Sequence, residues 1–180
     1  MRRPGYTLIE ILVVVAILGI ASALVIPSLG DARILRVQAS VRTLVADITY
    51  AQTDALAYQQ RRAIIFDEDE NTYTLADVVV GSDGAVEYDP LFMPGYADGD
   101  YVIDFDDNRF EGAAMAKPTF DDDAIIVFDE LGAPVLDASS DEAAAQGTVY
   151  ITSDLATYRI DVLPYTGQVQ VESVDGVPNN

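Results

Sequence analysis

The sequence predicts an α+β protein in which a long N-terminal helix, membrane-spanning in its first half, packs on an antiparallel β-sheet domain. Three observations support this prediction. The 24 residues from Tyr6 to Leu29 carry a single charge, at Glu10. Beyond them, small or apolar residues recur at steps of three and four as far as Tyr58, which is the spacing of one helix face. From Arg62 onward, short runs rich in β-branched and aromatic residues are separated by turn residues, which is typical of strands.

The apolar run near the N-terminus is long enough for a membrane helix. At about 1.5 Å per residue it extends roughly 36 Å, and the hydrocarbon core of a bilayer is about 30 Å thick. Arg2 and Arg3 precede the run, and the acidic part of the chain follows it. By the positive-inside rule, the N-terminus is expected in the cytoplasm and the domain on the other side of the membrane.

A cleaved secretory signal peptide is the alternative explanation of this run. Such a peptide needs a small-x-small cleavage site, and Ala21-Ser22-Ala23 offers one. Two features argue against it, because the run continues as far as Ile26 and because Glu10 interrupts a region that should be uniformly apolar. A carboxylate among lipid chains costs on the order of 3 kcal/mol, so Glu10 is expected to have a partner or a function.

The helix is predicted to continue beyond the membrane, over about 6–60. Pro27 lacks an amide hydrogen and is expected to kink the helix rather than end it. One face of the second half carries an apolar stripe: Ile34, Val37, Val41, Leu44, Ile48, Ala51, Ala55 and Tyr58. Charged residues lie off this stripe: Arg33, Arg36, Arg42, Asp47 and Asp54. The stripe is expected to pack against the domain, and a coiled-coil seam is the alternative.

Strands are predicted over most of the remaining chain. A hairpin directly follows the helix, with strands at 62–66 and 71–80 around the charged turn 67–70. Further strands are expected at 85–88, 101–105, 124–128, 148–152, 157–163 and 168–172, with a turn at 164–167 before the last one. The segment 81–123 is rich in Gly, Pro and Asp, and it is predicted to form long loops.

Two of the C-terminal strands are predicted to form a half-buried antiparallel sheet. Tyr158, Ile160 and Val162 alternate with Arg159 and Asp161, which predicts one apolar face and one solvated face. Aromatic residues at strand positions are predicted to lie in the core: Tyr73, Phe105, Phe128, Tyr150 and Tyr158.

Composition excludes several classes of function. The chain has no Cys and no His, which rules out disulfides, thiolate or imidazole metal sites and catalysis by a His base. It also lacks a nucleophile elbow, a phosphate loop and a zinc signature, so no enzyme activity and no cofactor are expected. Residues 63–180 hold 26 carboxylates and three basic residues. Nucleic acid is therefore not expected as a partner, and a solubility or high-salt adaptation explains the charge.

A metal site is not predicted. Asp67, Asp69 and Asn71 match the first three ligand positions of a calcium loop, but the glycine at the sixth position and the glutamate at the twelfth are missing. The acidic run at 121–123 offers at most a loose set of oxygen ligands. Both segments are interpreted as solvated turns.

The segment Gly5-Tyr6-Thr7-Leu8-Ile9-Glu10 resembles the cleavage and assembly signal of type IV prepilins and type II secretion pseudopilins. The resemblance implies cleavage between Gly5 and Tyr6 and N-methylation of Tyr6, where the family usually has Phe. It places Glu10 fifth in the mature chain, where the family has its assembly Glu. Pro27 falls where many members carry a helix-kinking Pro.

The resemblance also implies an organisation and a location. The segments are a prepilin leader at 1–5, a transmembrane and assembly helix at 6–30, an amphipathic helix at 31–60 and a periplasmic β-rich domain at 61–180. The implied function is a structural subunit of a secretion pseudopilus or pilus, anchored once in the bacterial inner membrane. The implied partners are other pilins, the prepilin peptidase and the assembly platform.

The subgroup most similar to this chain is that of the GspH/FimT-type minor pseudopilins. A helix followed at once by a hairpin, and a final strand–turn–strand containing Thr166-Gly167, carry this finer resemblance. The alternative function is a minor pilin of a DNA-uptake apparatus, which needs a basic outer surface. Beyond residue 62 only Arg109, Lys117 and Arg159 are basic.

Overall fold

The computed structural model describes residues 6–96, 99–121 and 123–178, although not the helix side chains at 23–32. In these residues one α-helix, α1 (Leu8–Tyr58), is followed by ten strands. All strand pairs are antiparallel. The chain is therefore α+β with antiparallel pairing, as the sequence predicts, but its strands form two sheets rather than one.

The helix spans the range that the hydrophobic periodicity predicts. It runs without a break over 51 residues. It ends at Gln59, which adopts a left-handed conformation with φ of 52° and donates its backbone N–H to the carbonyl of Ala55. Such a left-handed cap satisfies a carbonyl that the last helical turn would leave unpaired.

The sequence predicts both a kink and a membrane span in the first half of α1. The helix continues through Pro27, whose side chain lies outside the described residues, and the kink stays a prediction. In the part of the chain that the structure describes, no helix is both long enough and apolar enough to cross a membrane.

The apolar stripe on the second half of α1 forms the centre of the core. Six of its members are buried: Val37, Val41, Leu44, Ile48, Ala51 and Ala55. The stripe packs across both sheets of this chain rather than on a partner helix. Tyr58 differs from the prediction, since it is 68% exposed. The helix ends there, and the Arg62 guanidinium lies 5.9 Å above the centre of its ring.

The first sheet contains the predicted hairpin. Its strands are β1 (Arg62–Asp67), β2 (Thr72–Val80), β3 (Val86–Pro90), β4 (Val102–Asp104), β6 (Ile125–Phe128) and β7 (Pro134–Val135). Their order is β3-β2-β1-β6-β7, with β4 also pairing with β2. The predicted strands at 62–66, 71–80, 85–88, 101–105 and 124–128 are thus confirmed.

The second sheet contains the three predicted C-terminal strands. Its strands are β5 (Ala114–Thr119), β8 (Gly147–Thr152), β9 (Thr157–Val162) and β10 (Val169–Val174), in the order β10-β9-β8-β5. The predicted solvated face of β9 is wrong at Asp161, which is buried. Its carboxylate accepts hydrogen bonds from Thr148 Oγ1 at 2.8 Å and Arg159 Nε at 2.9 Å, so partners from β8 and β9 replace water.

Two strands are not predicted by the sequence. β7 has only two residues, too few to show a period. β5 lies inside the segment predicted as loops, with the sequence Ala-Met-Ala-Lys-Pro-Thr. Ala, Lys and Pro are depleted in strands, and Lys117 has a φ of +47° where the pairing with β8 shifts register. β5 is an edge strand, and a proline is tolerated there.

A buried arginine joins the helix to the hairpin. Arg62, at the start of β1, donates from Nε to Asp54 Oδ2 at 2.5 Å and lies 2.6 Å from Asp77 Oδ1 through Nη1. Asp54 and Asp77 come from α1 and β2, and the Arg62 side chain is only 5% exposed. A buried charge of this kind needs its partners, and these two ion pairs connect the start of β1 to α1 and to β2.

A glycine permits close packing of the last turn on the helix. The side-chain amide of Gln52 donates to the carbonyls of Gly132 and Thr166 at 2.7 and 2.8 Å. A Cβ at Gly167 would lie 2.5 Å from Gln52 Nε2, and φ there is +62°. Only glycine fits this position without strain, and the predicted turn at 164–167 is held to α1 in this way.

The core also contains a carboxylate that the sequence places on the polar side of α1. Asp47 is only 6% exposed, and it accepts hydrogen bonds from Tyr73 Oη at 2.5 Å and Tyr101 Oη at 2.7 Å. Burial raises the pKa of the Asp47 carboxyl above its ordinary value, and the two phenol hydrogen bonds oppose that shift. Burial and the neighbouring Asp47 charge raise the pKa of Tyr73 well above its ordinary value. Asp47 lies off the apolar stripe, as the sequence places it, but it is buried rather than exposed.

Candidate functional site

The first turns of α1 expose an apolar surface that nothing in the described chain covers. The side chains of Leu8, Ile11 and Val14 are 84%, 51% and 48% exposed, and Ile20 is 66% exposed. Fully burying one such side chain contributes about 1.5–3 kcal/mol. An apolar environment, either lipid or other protein, would therefore stabilise this segment, and the described part of the chain does not supply one.

The start of the helix is fixed by a capping box between Thr7 and Glu10. The Glu10 backbone N–H donates to Thr7 Oγ1 at 3.3 Å, and Glu10 Oε2 accepts from the Thr7 N–H at 3.5 Å. A Thr-x-x-Glu pattern ahead of an apolar run is the sequence signal of such a box. The Glu10 carboxylate thus turns back toward the chain start, where the positive end of the helix dipole favours an anion.

The structure places only part of the predicted processing site. Tyr6 precedes the helix and is 80% exposed, and it lies one residue before the capping box. Glu10 is exposed in the first helical turn. Gly5 lies outside the described residues, as does the side chain of Pro27. Tyr6 therefore lies just ahead of the helix and Glu10 in its first turn, while cleavage, methylation and the kink stay predictions.

Two of the candidate calcium ligands, Asp67 and Asn71, have other partners in the structure. Asp67 accepts from the Glu70 N–H at 2.9 Å, within the β1–β2 turn. The Asn71 side chain donates to Asp106 at 2.8 Å and accepts from the Met115 N–H at 2.8 Å. Among the described residues, no group of three or more acidic side chains could hold a metal ion, and Asp122 lies outside them. Asn71 thus ties the turn to β5.

The comparisons with known proteins single out the N-terminus. Residues 1–26 match the family described as the prokaryotic N-terminal methylation motif. No curated protein matches the chain. The match covers residues 1–26 of a chain of 180 residues, and it bears out the resemblance of this N-terminal segment to a prepilin methylation signal.

Two solved structures are similar to this chain in outline. The minor pseudopilin EpsH of the Vibrio cholerae type 2 secretion system is 10% identical, with a TM-score of 0.48 over 77% of this chain and 97% of that one. The type IV minor pilin FimU of Pseudomonas aeruginosa is 15% identical, with a TM-score of 0.49 over 77% of this chain and 92% of that one.

Proposed function

We propose that the chain is a structural subunit, a minor one, of a type II secretion pseudopilus or a type IV pilus. The match of residues 1–26 to the methylation motif is the observation that carries this proposal. The uncovered apolar surface at the start of α1 supports the proposal. A filament subunit needs an apolar element that can move from the lipid of the membrane into the protein core of the filament. The resemblance to GspH/FimT-type proteins over 61–80 and 148–172 supports the minor role.

In this proposal the helix over 6–30 anchors the subunit once in the bacterial inner membrane. Arg2 and Arg3 hold the N-terminus in the cytoplasm, and the domain lies in the periplasm. The prepilin peptidase cuts after Gly5, methylates the new amine of Tyr6 and leaves the anchor in place. The inner-membrane assembly platform then moves the subunit into the filament.

Glu10 has a defined part in this assembly. Cleavage creates a positive amine at Tyr6, one turn from the Glu10 carboxylate of the same chain. In an apolar filament core both charges are costly, and pairing the amine of one subunit with Glu10 of its neighbour offsets both costs. A single such pair favours one axial register between neighbouring helices.

The remaining partners are other pilin-like subunits, and nucleic acid is not proposed. The three basic residues beyond position 62 already have partners. Arg109 pairs with Asp107, Arg159 pairs with Asp161 and Glu172, and Lys117 donates to the Pro178 carbonyl. These contacts leave little positive charge to attract phosphate on an acidic surface.

Gly5→Val is expected to keep the chain in the membrane and out of filaments. A branched side chain at the residue before the cut should block the peptidase, so the uncut leader stays charged and cytoplasmic. The measurement is the amount of chain in a sheared filament fraction from cells that carry the assembly machinery. Gly176→Val is the matched control, because a Cβ at Gly176 meets nothing within 4 Å and the residue lies outside the assembly helix. Equal filament incorporation of both variants would contradict the proposal.

A further inference from the structure

A polar cleft lies at the end of the domain that is closest to the apolar N-terminal run. It has a volume of about 400 Å³ and is bounded by α1, by the segment between β4 and β5 and by the turn between β8 and β9. Arg33 and Arg36 line it from the helix, Glu111 from the β4–β5 segment, and Asp154 and Leu155 from the turn. Two guanidiniums and two carboxylates thus line one cavity.

The cleft lies at the depth of the lipid headgroups when the first half of α1 spans a bilayer. Leu29 is the last residue of the apolar run, and Arg33 and Arg36 follow it on the same helix. At about 1.5 Å per residue, these arginines lie roughly 6 and 10 Å beyond the run. The headgroup layer on each side of a bilayer is about 5–8 Å thick, and an arginine side chain is long enough to extend back toward it.

Exposed leucines beside the arginines fit the same surroundings. Leu155 is 52% exposed in the wall of the cleft, and Leu35, between the two arginines in sequence, is 62% exposed. Apolar side chains next to basic ones are typical of a surface that lies at the boundary between headgroups and acyl chains. The composition of this end of the domain therefore suits contact with lipid.

The ion pairs of the cleft are open to exchange with a ligand. Arg33 Nη1 lies 3.8 Å from Asp154 Oδ2, which is beyond hydrogen-bond distance, so a polar group between them can bond to both. Arg36 donates to Glu111, and both of these side chains are exposed to solvent over more than a third of their surface. Exposed ion pairs contribute little to stability, so exchanging these contacts for contacts with a ligand costs little.

The mixture of charges in the cleft selects the chemistry of the ligand. A headgroup whose only charge is its phosphate would be attracted by the arginines but repelled by Glu111 and Asp154. A choline headgroup has a compensating cation, but its quaternary nitrogen has no N–H to donate. A phosphoethanolamine headgroup has a phosphate for the guanidiniums. It also has a primary ammonium, with three N–H donors, for the carboxylates.

We propose that this cleft binds the headgroup of a phosphatidylethanolamine lipid, with Arg33 and Arg36 on the phosphate and Glu111 and Asp154 on the ammonium. This inference rests on the proposed function, because the cleft reaches lipid only when residues 6–30 span the membrane. The bound headgroup holds the near end of the domain to the membrane surface while the subunit is stored. The contact is lost when the subunit leaves the bilayer for a filament.

Lipid retention by the full-length chain tests the assignment. The chain is placed in nanodiscs of phosphatidylcholine that contain phosphatidylethanolamine and phosphatidylglycerol in equal amounts, and native mass spectrometry counts the lipids that stay bound after release. We expect the native chain to retain phosphatidylethanolamine over phosphatidylglycerol by about threefold or more, the effect of one or two charge contacts.

Removing the carboxylates should reverse this preference. The double variant Glu111→Gln with Asp154→Asn leaves two guanidiniums without acidic neighbours in the cleft, so it should retain phosphatidylglycerol over phosphatidylethanolamine. Asp83→Asn with Glu87→Gln makes the same charge change at exposed positions around the β2–β3 turn and should keep the native preference. The comparison of the two lipids on the native chain is decisive even where a variant does not fold.

The outcomes separate this inference from the proposed function. A native chain that inserts but retains the two lipids equally, or prefers phosphatidylglycerol, overturns the headgroup assignment alone. An unchanged preference in the folded carboxylate variant also overturns it. A native chain that does not insert into the nanodisc contradicts the membrane anchor of the proposed function, and the headgroup assignment with it.

Discussion

Replacing Glu10 with valine is expected to leave membrane insertion intact and to remove the chain from filaments. Valine makes the helix more apolar, so insertion becomes more favourable. In the filament the terminal amine of a neighbour would lose its partner, and leaving one member of a buried pair unmatched costs about 3–5 kcal/mol. That cost corresponds to a fall in incorporation of roughly a hundredfold or more. The measurement compares the variant in membrane and sheared-filament fractions.

A glutamine at the same position separates two roles of Glu10. Glutamine can still close the capping box with Thr7, but it cannot neutralise an amine. If charge pairing drives assembly, Glu10→Gln should fail nearly as severely as Glu10→Val. Normal incorporation of Glu10→Gln would assign the residue to the helix start and would contradict the pairing.

Asp47→Ala is expected to destabilise the domain by about 2–5 kcal/mol. The change leaves the hydroxyls of Tyr73 and Tyr101 without an acceptor, and each unsatisfied buried donor costs about 1–3 kcal/mol. Urea unfolding of the full-length chain in detergent, followed by tyrosine circular dichroism, measures the free energy of unfolding. Asp69→Ala, in the exposed β1–β2 turn, should change it by less than about 0.5 kcal/mol. If Asp47→Ala lowered the free energy of unfolding as little as the control does, the stabilising role assigned to Asp47 and its two tyrosine partners would be contradicted.

Asp47→Asn should lower the free energy of unfolding much less than Asp47→Ala does. The difference in this free energy between Asp47→Asn and the native chain should depend on pH. The amide keeps an acceptor for a phenol and removes the cost of burying a charge. Because burial raises the pKa of Asp47 in the folded state, its protonation stabilises the fold at pH values below the ordinary carboxyl value. That contribution is lost as the pH rises through the raised pKa. The native chain should therefore lose stability relative to Asp47→Asn over this range, and a difference that does not vary with pH would contradict the assignment.

The elements that the sequence predicts well are those with a clear local period. The steps of three and four from Val37 to Ala55 define the buried helix face, and the hairpin after Arg62 follows from β-rich runs around a charged turn. β5 escapes prediction because its composition disfavours a strand, and pairing with β8 overrides that preference. Local propensity is only a weak guide where a tertiary neighbour supplies the hydrogen bonds.

The burial of two carboxylates could not be predicted from the sequence, because most of their hydrogen-bond partners are distant in sequence. Asp47 is buried through phenols on Tyr73 and Tyr101, and Asp161 through Thr148 and Arg159. Each looks like an ordinary surface carboxylate within its own element. The N-terminal site is the opposite case, because its residues are contiguous and the motif at 5–10 can be recognised without any fold.

The intact mass of the membrane-extracted protein tests the central proposal most directly. A prepilin-like chain should have lost Met1–Gly5 and gained one methyl group on the amine of Tyr6. The mass shift is specific, because a signal peptidase cutting after Ala23 would leave a mature chain that begins at Leu24. Loss of only the leader together with one added methyl group is the predicted result. A mature chain beginning near Leu24 would contradict both the processing and the anchor.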